Sequence, residues 1–158
     1  LEPYENLTNC TAAPYASYLL KKENMTDMDL QNAKDLIRMS EDQFTFWDIV
    51  PNDHGIKRFA APCVVEQSKY WTPVDASAHN VSMAFLDLYE ATGDQLAFAK
   101  AKALIDNMTI VQNKCSGQMP TTWDLRSPER ELRRTFWTNC TWASVTALLR
   151  MAELTGQE

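Results

Sequence analysis

The chain has 158 residues, a formal net charge of -6 and 45% hydrophobic residues, long enough for a sizeable core and too apolar for wholesale disorder. That acidic balance, with no run of Lys or Arg against it, argues against a nucleic-acid partner, and no apolar run approaches the roughly 18 residues that span a bilayer. Cys10, Cys63, Cys115 and Cys140 show no CxxC or Cys/His spacing suited to zinc; they read as reduced or structural thiols, or as including one disulfide.

In chain order, the first unit is a helical hairpin over about 7–47. An apolar segment around Tyr15, Tyr18, Leu19 and Leu20 meets a polar break at Lys21-Lys22-Glu23-Asn24, and a second helix turns Leu30, Ala33, Leu36 and Ile37 inward. A long loop, Trp47 to Pro73, follows. It contains the turn signal Pro51-Asn52-Asp53-His54-Gly55 and then Ala60 to Gln67, which reads as a short extended segment.

The second hairpin, over 75–113, carries the strongest pattern. Val81, Met83, Ala84, Phe85, Leu86, Leu88 and Tyr89 surround the axis of its first helix, the mark of a helix buried on all sides. Its second helix is amphipathic, with Leu96, Ala99, Ala103, Leu104, Asn107, Ile110 and Val111 expected on the inner face and Lys100, Lys102, Asp106 and Asn113 away from it. Gly93 supplies a left-handed residue to end the first helix, and Asp94 caps the next. A second long loop, Gln112 to Thr135, leads to a half-hairpin over 136–156.

That last segment repeats the middle one: Glu153-Leu154-Thr155-Gly156 stands where Glu90-Ala91-Thr92-Gly93 stood, and Trp142 is expected in its core. Thr8-Asn9-Cys10-Thr11 recurs as Thr138-Asn139-Cys140-Thr141, two repeats of about 65 residues away. The fold class expected is therefore all-α, built from repeated antiparallel helical hairpins. The pattern breaks off in mid-unit, which reads as one partial domain of a larger parent chain holding the remaining hairpins.

Short turns at one end of such a stack send both long loops to the other, where the buried helices begin. Long loops over a rigid scaffold are the usual seat of function. Four of the five tryptophans, Trp47, Trp71, Trp123 and Trp137, lie in these loops or at their borders, with His54, Arg58, Glu66, Lys69, Tyr70, Asp124, Arg126 and Arg133-Arg134. Six of the nine asparagines (Asn6, Asn9, Asn24, Asn80, Asn107, Asn139) stand in N-x-Ser/Thr triplets, although Asn80 and Asn107 fall within helices where a glycan clashes with packing. A secreted or periplasmic setting is favoured over the cytoplasm.

The hairpin LYEATGD..LAFAKAKALID at Leu88 to Asp106, the loop Gly117-Gln118-Met119-Pro120-Thr121 and the helix start Phe136-Trp137-Thr138-Asn139-Cys140 together resemble the six-hairpin glycosidase-like superfamily, the (α/α)6 toroids. The resemblance is architectural and spans nearly the whole chain. It implies alternating inner and outer helices, a sugar-binding cleft at the mouth formed by the long loops, and a carbohydrate substrate.

Sugar chemistry wants an aromatic face against the apolar side of a pyranose, one carboxyl to protonate the leaving oxygen and a second carboxylate to activate water or attack. Asp75, Glu66 and Asp124 are the candidate catalytic carboxylates. Asp75 is also a good helix cap, Glu66 is within reach of a salt bridge to Lys69 or Arg58, and Asp124 has the place of a turn residue. Trp71, Trp123 and Trp137 are the candidate sugar platform, with His79, Tyr70 and Arg126 as further substrate-binding candidates. The reading is a glycoside hydrolase acting on an oligosaccharide or polysaccharide. Its rivals are a polysaccharide lyase, with Tyr70 or His79 as base and arginines neutralising a uronate, and a non-catalytic helical-repeat binding module. The roughly 65-residue period and the tryptophan-bearing loops weigh against the last. No cofactor or metal is expected: GxSxG, GxGxxG, Walker and HExxH motifs are absent, and two histidines need heavy carboxylate help to make a metal site.

Overall fold

The computed structural model describes residues 12–48, 61–66, 72–73, 75–110, 112–113, 115–119 and 138–156, with the backbone alone at 66, 72, 75, 76 and 138–140. These residues are mostly helical: α1 (Ala12–Leu20), α2 (Asp27–Phe44), α3 (Asp75–Thr92), α4 (Gln95–Ile110) and α5 (Thr138–Thr155). Three short strands, β1 (Thr45–Phe46), β2 (Cys63–Glu66) and β3 (Thr72–Pro73), form an antiparallel sheet in the order β1-β2-β3. The all-α expectation is thus amended by this small sheet, whose middle strand is the extended segment expected near Cys63.

Local chemistry accounts for the helix boundaries. Thr26 and Asp29 form a capping box at the start of α2: Asp29 N donates to Thr26 Oγ1 at 3.1 Å and Thr26 N donates to Asp29 Oδ2 at 3.0 Å. Lys22 Nζ lies 2.7 Å from the Asp29 carboxylate and, with the Thr26 donors, holds its pKa down to about 2. Between α3 and α4, Gly93 has φ +75, and Asp94 Oδ1 accepts from Leu96 N at 2.9 Å and Ala97 N at 3.3 Å. The tight turn read from Gly93-Asp94 is present. Asp94→Ala removes the acceptor for two otherwise unpaired helix N–H groups and is expected to cost about 1 kcal/mol, read as a lower denaturation midpoint at unchanged m-value.

α3 lies at the centre. It packs on α1, α4 and α5, with lesser contacts to α2 and β2. Ser77, Ala78, Val81, Ser82, Ala84, Phe85, Leu86, Asp87 and Leu88 are all buried, as the apolar girdle of the sequence requires. Contacts near the ends fix the helix directions: His79 and Ala143 meet near the starts of α3 and α5, while Glu90 and Arg150 meet near their ends. Lys21 at the end of α1 reaches Asp87 near the end of α3. α1, α3 and α5 therefore run parallel, α1 and α5 each packed on α3, with α2 against α1 and α4 against α3. Short turns sit at one end, and the sheet sits at the other.

Four expectations are corrected. The buried face of α4 is Ala97, Ala101, Leu104, Ile105, Asn107 and Met108, while Leu96, Ala99 and Ile110 are exposed, so the helix is rotated by about one residue from the face read off its sequence. Val111 lies outside the described residues. Lys100 is half-buried rather than solvated, because Glu41 of α2 binds its ammonium and the Trp47 and Phe85 rings lie beneath it at 5.5 and 5.4 Å. Tyr15 and Tyr18 are exposed, and α1 buries Ala12, Ala13, Ala16, Leu19 and Leu20 instead. Trp142, expected in the core, is 75% exposed: α5 meets α3 and α4 with Ala143, Ser144 and Ala147 on its inner side, leaving Trp142, Val145 and Leu149 outward.

Candidate functional site

The end of the bundle opposite the short turns is built around β2. Cys63, Val64 and Val65 are buried, and β2 packs on α3. Asn107 of α4 donates through Nδ2 to the Pro62 carbonyl, tying the start of β2 to the bundle. Asn107 is 5% exposed, so its triplet is spent on structure and is closed to a glycan, whereas Asn24 lies exposed in the α1–α2 turn. Cys115 is an exposed free thiol and Cys63 is buried in β2; Cys10 lies outside the described residues and Cys140 is described by its backbone alone.

The register places the sequence candidates. Thr45 pairs with Val64 and Phe46 with Cys63 on one side of β2; Val65 pairs with Pro73 and Glu66 with Thr72 on the other. Glu66 thus sits opposite a residue three positions ahead of Asp75, the first residue of α3. Antiparallel partners are about 5 Å apart at Cα and the chain advances at most about 3.5 Å per residue, so the Glu66 and Asp75 Cα atoms lie within about 15 Å of one another. A carboxylate at the first position of a helix is also favoured by the helix dipole. His79, one turn further along α3, shares the Asp75 side of the helix by its i, i+4 spacing.

His79 is the one candidate whose side chain is described. Its ring lies beside the Ala143 backbone, and Nδ1 is buried without a hydrogen-bond partner. Burial pushes its pKa below 6.5 and outweighs the opposing effect of the Ala143 backbone. As pH falls through 6.5 the unfolded chain takes up a proton that the folded ring refuses, so stability is present above 6.5 and declines below it until the folded ring protonates. Chemical denaturation at about pH 7.5 and about pH 5.5 is expected to show a smaller acid-side loss for His79→Gln than for the wild type, and equal losses would refute this assignment.

The following loop is secured from its other side. Asn113 Oδ1 accepts from Cys115 N at 2.9 Å and Ser116 N at 3.0 Å, Gly117 takes φ +72, and Met119 is buried with its N–H 3.4 Å from Thr141 Oγ1 at the start of α5. Asp124, Trp71, Trp123, Trp137, Tyr70 and Arg126 lie outside the described residues, as do His54, Arg58, Lys69 and Arg133-Arg134. Glu66, Asp75 and His79 are therefore the candidates that the fold brings to one end.

Two further polar clusters escaped the sequence reading. Glu41 accepts from Trp47 Nε1 at 3.2 Å and binds Lys100, a tryptophan beside a carboxylate whose only sequence signal was the six-residue spacing at the end of α2. Asp87, on the central helix, has a side chain 1% exposed and lies 2.9 Å from Lys21 Nζ. Its apolar flanks Leu86 and Leu88 marked it as an inner position, but nothing near it in the sequence pointed to Lys21. Among the described residues no group of three His, Cys, Asp or Glu is placed to hold a metal, and no helix is long and apolar enough to cross a membrane. Neither a protein-family model nor a curated protein matches the sequence.

Proposed function

We propose that the α1–α2 and α3–α4 pairs with α5 are part of an (α/α) toroid, and that the chain belongs to a carbohydrate-active enzyme hydrolysing glycosidic bonds through Glu66 and Asp75. The observation that carries this reading is the β2–β3 register, which brings two carboxylate-bearing positions to the start of a rigid, buried helix. One of the pair protonates the leaving oxygen; the other attacks the anomeric carbon or activates water, according to whether the carboxyl groups stand about 5–5.5 Å or about 6.5–9.5 Å apart. Tyr70 and Trp71 fall in the sequence between Glu66 and Thr72, where an aromatic platform is wanted, and Trp123, Trp137, Asp124 and Arg126 remain candidates from the second long loop. The parallel helices α1, α3 and α5, with α2 packed on α1 and α4 on α3, support the toroid.

The test is release of reducing ends from β-glucan, xylan, mannan and starch, with the anomeric configuration of the first product followed by NMR. Hydrolysis of at least one polymer that Glu66→Gln and Asp75→Asn each suppress supports the proposal. No release by the wild-type chain, or release indifferent to both substitutions, defeats it.

A second reading has its own support. Burial keeps the His79 ring neutral, the form in which an imidazole accepts a proton, as a uronate lyase requires of its base. Unsaturated product ends from polygalacturonate, lost in His79→Gln, would replace hydrolysis by elimination.

A further inference from the structure

On the flank of the bundle formed by α1 and α2 there is an open groove of about 340 Å³ lined by Tyr15, Asn32, Asp35, Leu36 and Met39. Tyr15 and Tyr18, one turn apart on α1, stack with ring centroids 6.0 Å apart and planes 11° from parallel, yet remain 52% and 61% exposed. An aromatic pair of this kind is ordered by its own contact while its outer faces stay in water, so little side-chain entropy is left to lose on binding. Asn32, Asp35, Leu36 and Met39 follow the i, i+3, i+4, i+7 spacing of one stripe of α2, polar at its start and apolar at its end. Gln31 Nε2 donates to Asp35 Oδ1 at 3.0 Å, which orients the carboxylate and leaves its other oxygen to accept. Among the described residues that line the groove there is no cation.

We propose that this groove is a binding site for a neutral pyranose-containing saccharide. The apolar C–H face of the sugar lies on the Tyr15 ring, and ring hydroxyls donate to Asp35 and exchange hydrogen bonds with the Asn32 amide, which both donates and accepts. Leu36 and Met39 cover the apolar edge. Asp35, the one charged side chain among the described lining residues, selects against a uronate by like-charge repulsion. The site lies on different elements from Glu66, Asp75 and His79, so it holds carbohydrate without taking part in bond cleavage.

The experiment is an NMR titration of the full chain with cellohexaose, xylohexaose, mannohexaose and maltohexaose, and separately with trigalacturonate, at millimolar concentrations. Saturable shifts at Tyr15 and Asn32 with at least one neutral probe are expected, with none from trigalacturonate. Tyr15→Ala, an exposed substitution whose fold is checked by circular dichroism, is expected to weaken the neutral probe roughly tenfold or more. Asp35→Asn, which keeps shape and removes charge, is expected to narrow the discrimination against trigalacturonate. The inference is overturned if no neutral probe perturbs Tyr15 or Asn32, if trigalacturonate binds as well as they do, if Tyr15→Ala binds unchanged, or if that variant instead abolishes self-association of the chain. Repeating the titration on the Glu66→Gln, Asp75→Asn double variant separates the two proposals: groove binding without wild-type hydrolysis leaves this site standing and removes the hydrolytic reading, and hydrolysis without groove binding does the reverse.

Discussion

Glu66→Gln and Asp75→Asn are each expected to lower the hydrolytic rate by about 10²–10⁴-fold, the usual contribution of a positioned acid or base, while leaving the fold intact. Both substitutions keep side-chain volume and remove the titrating group. Glu66 is at the last residue of β2 and Asp75 at the first of α3, so neither interrupts a helix or strand interior. Because the two groups are proposed to act as a unit, the double variant is expected to lose little more than the worse single one, since effects of residues acting together are strongly non-additive. Rates measured at saturating polymer, beside the thermal midpoint of each variant, test this. Multiplying losses in the double variant would show that the residues act independently, and a fall in midpoint that tracks activity would recast them as structural.

Leu86→Ala is expected to destabilise the chain by about 3 kcal/mol, within the usual 2–5 kcal/mol range for deleting a buried leucine side chain, and to lower Tm by roughly 6–12 °C for a domain of this size. Leu86 is fully buried on the central helix, among the residues that α1, α4 and α5 enclose. Leu149 stands at the equivalent place in α5 when Glu90-Ala91-Thr92-Gly93 is set on Glu153-Leu154-Thr155-Gly156, yet it is 60% exposed. Leu149→Ala is accordingly expected within about 0.5 kcal/mol of the wild type. The same substitution at two positions that the sequence pattern aligns thus separates what the pattern encodes from what a neighbour supplies. Similar losses at both would mean that Leu149 is covered in solution.

The ion pairs at the short-turn end join the parallel helices. Asp87 meets Lys21 of α1 from within, and Arg150 of α5 binds Glu90 of α3 and Glu153 of its own helix. A carboxylate as buried as Asp87 needs a cation close by, and Lys21, half in water, supplies it at modest entropic cost.

Features that depend on a few adjacent residues were legible without coordinates. The Gly93-Asp94 turn, the polar break before α2 and the all-round burial of α3 follow from backbone freedom at glycine, side-chain acceptors for orphan N–H groups and apolar residues on every side of one helix. Features that depend on which neighbour is present were not. Periodicity states which residues favour burial but not whether a helix covers them, which is why Trp142 lies in water and the α4 face is turned by a residue. The Asp87–Lys21 contact joins distant parts of the chain, and strands of two residues carry no period to detect. The sequence by itself determined a helical chain of paired helices with its functional candidates gathered toward the long loops. Only the tertiary structure decided that Glu66 comes opposite Thr72 beside the start of α3, because strand register is set by pairing across space and not by the residues of either strand alone.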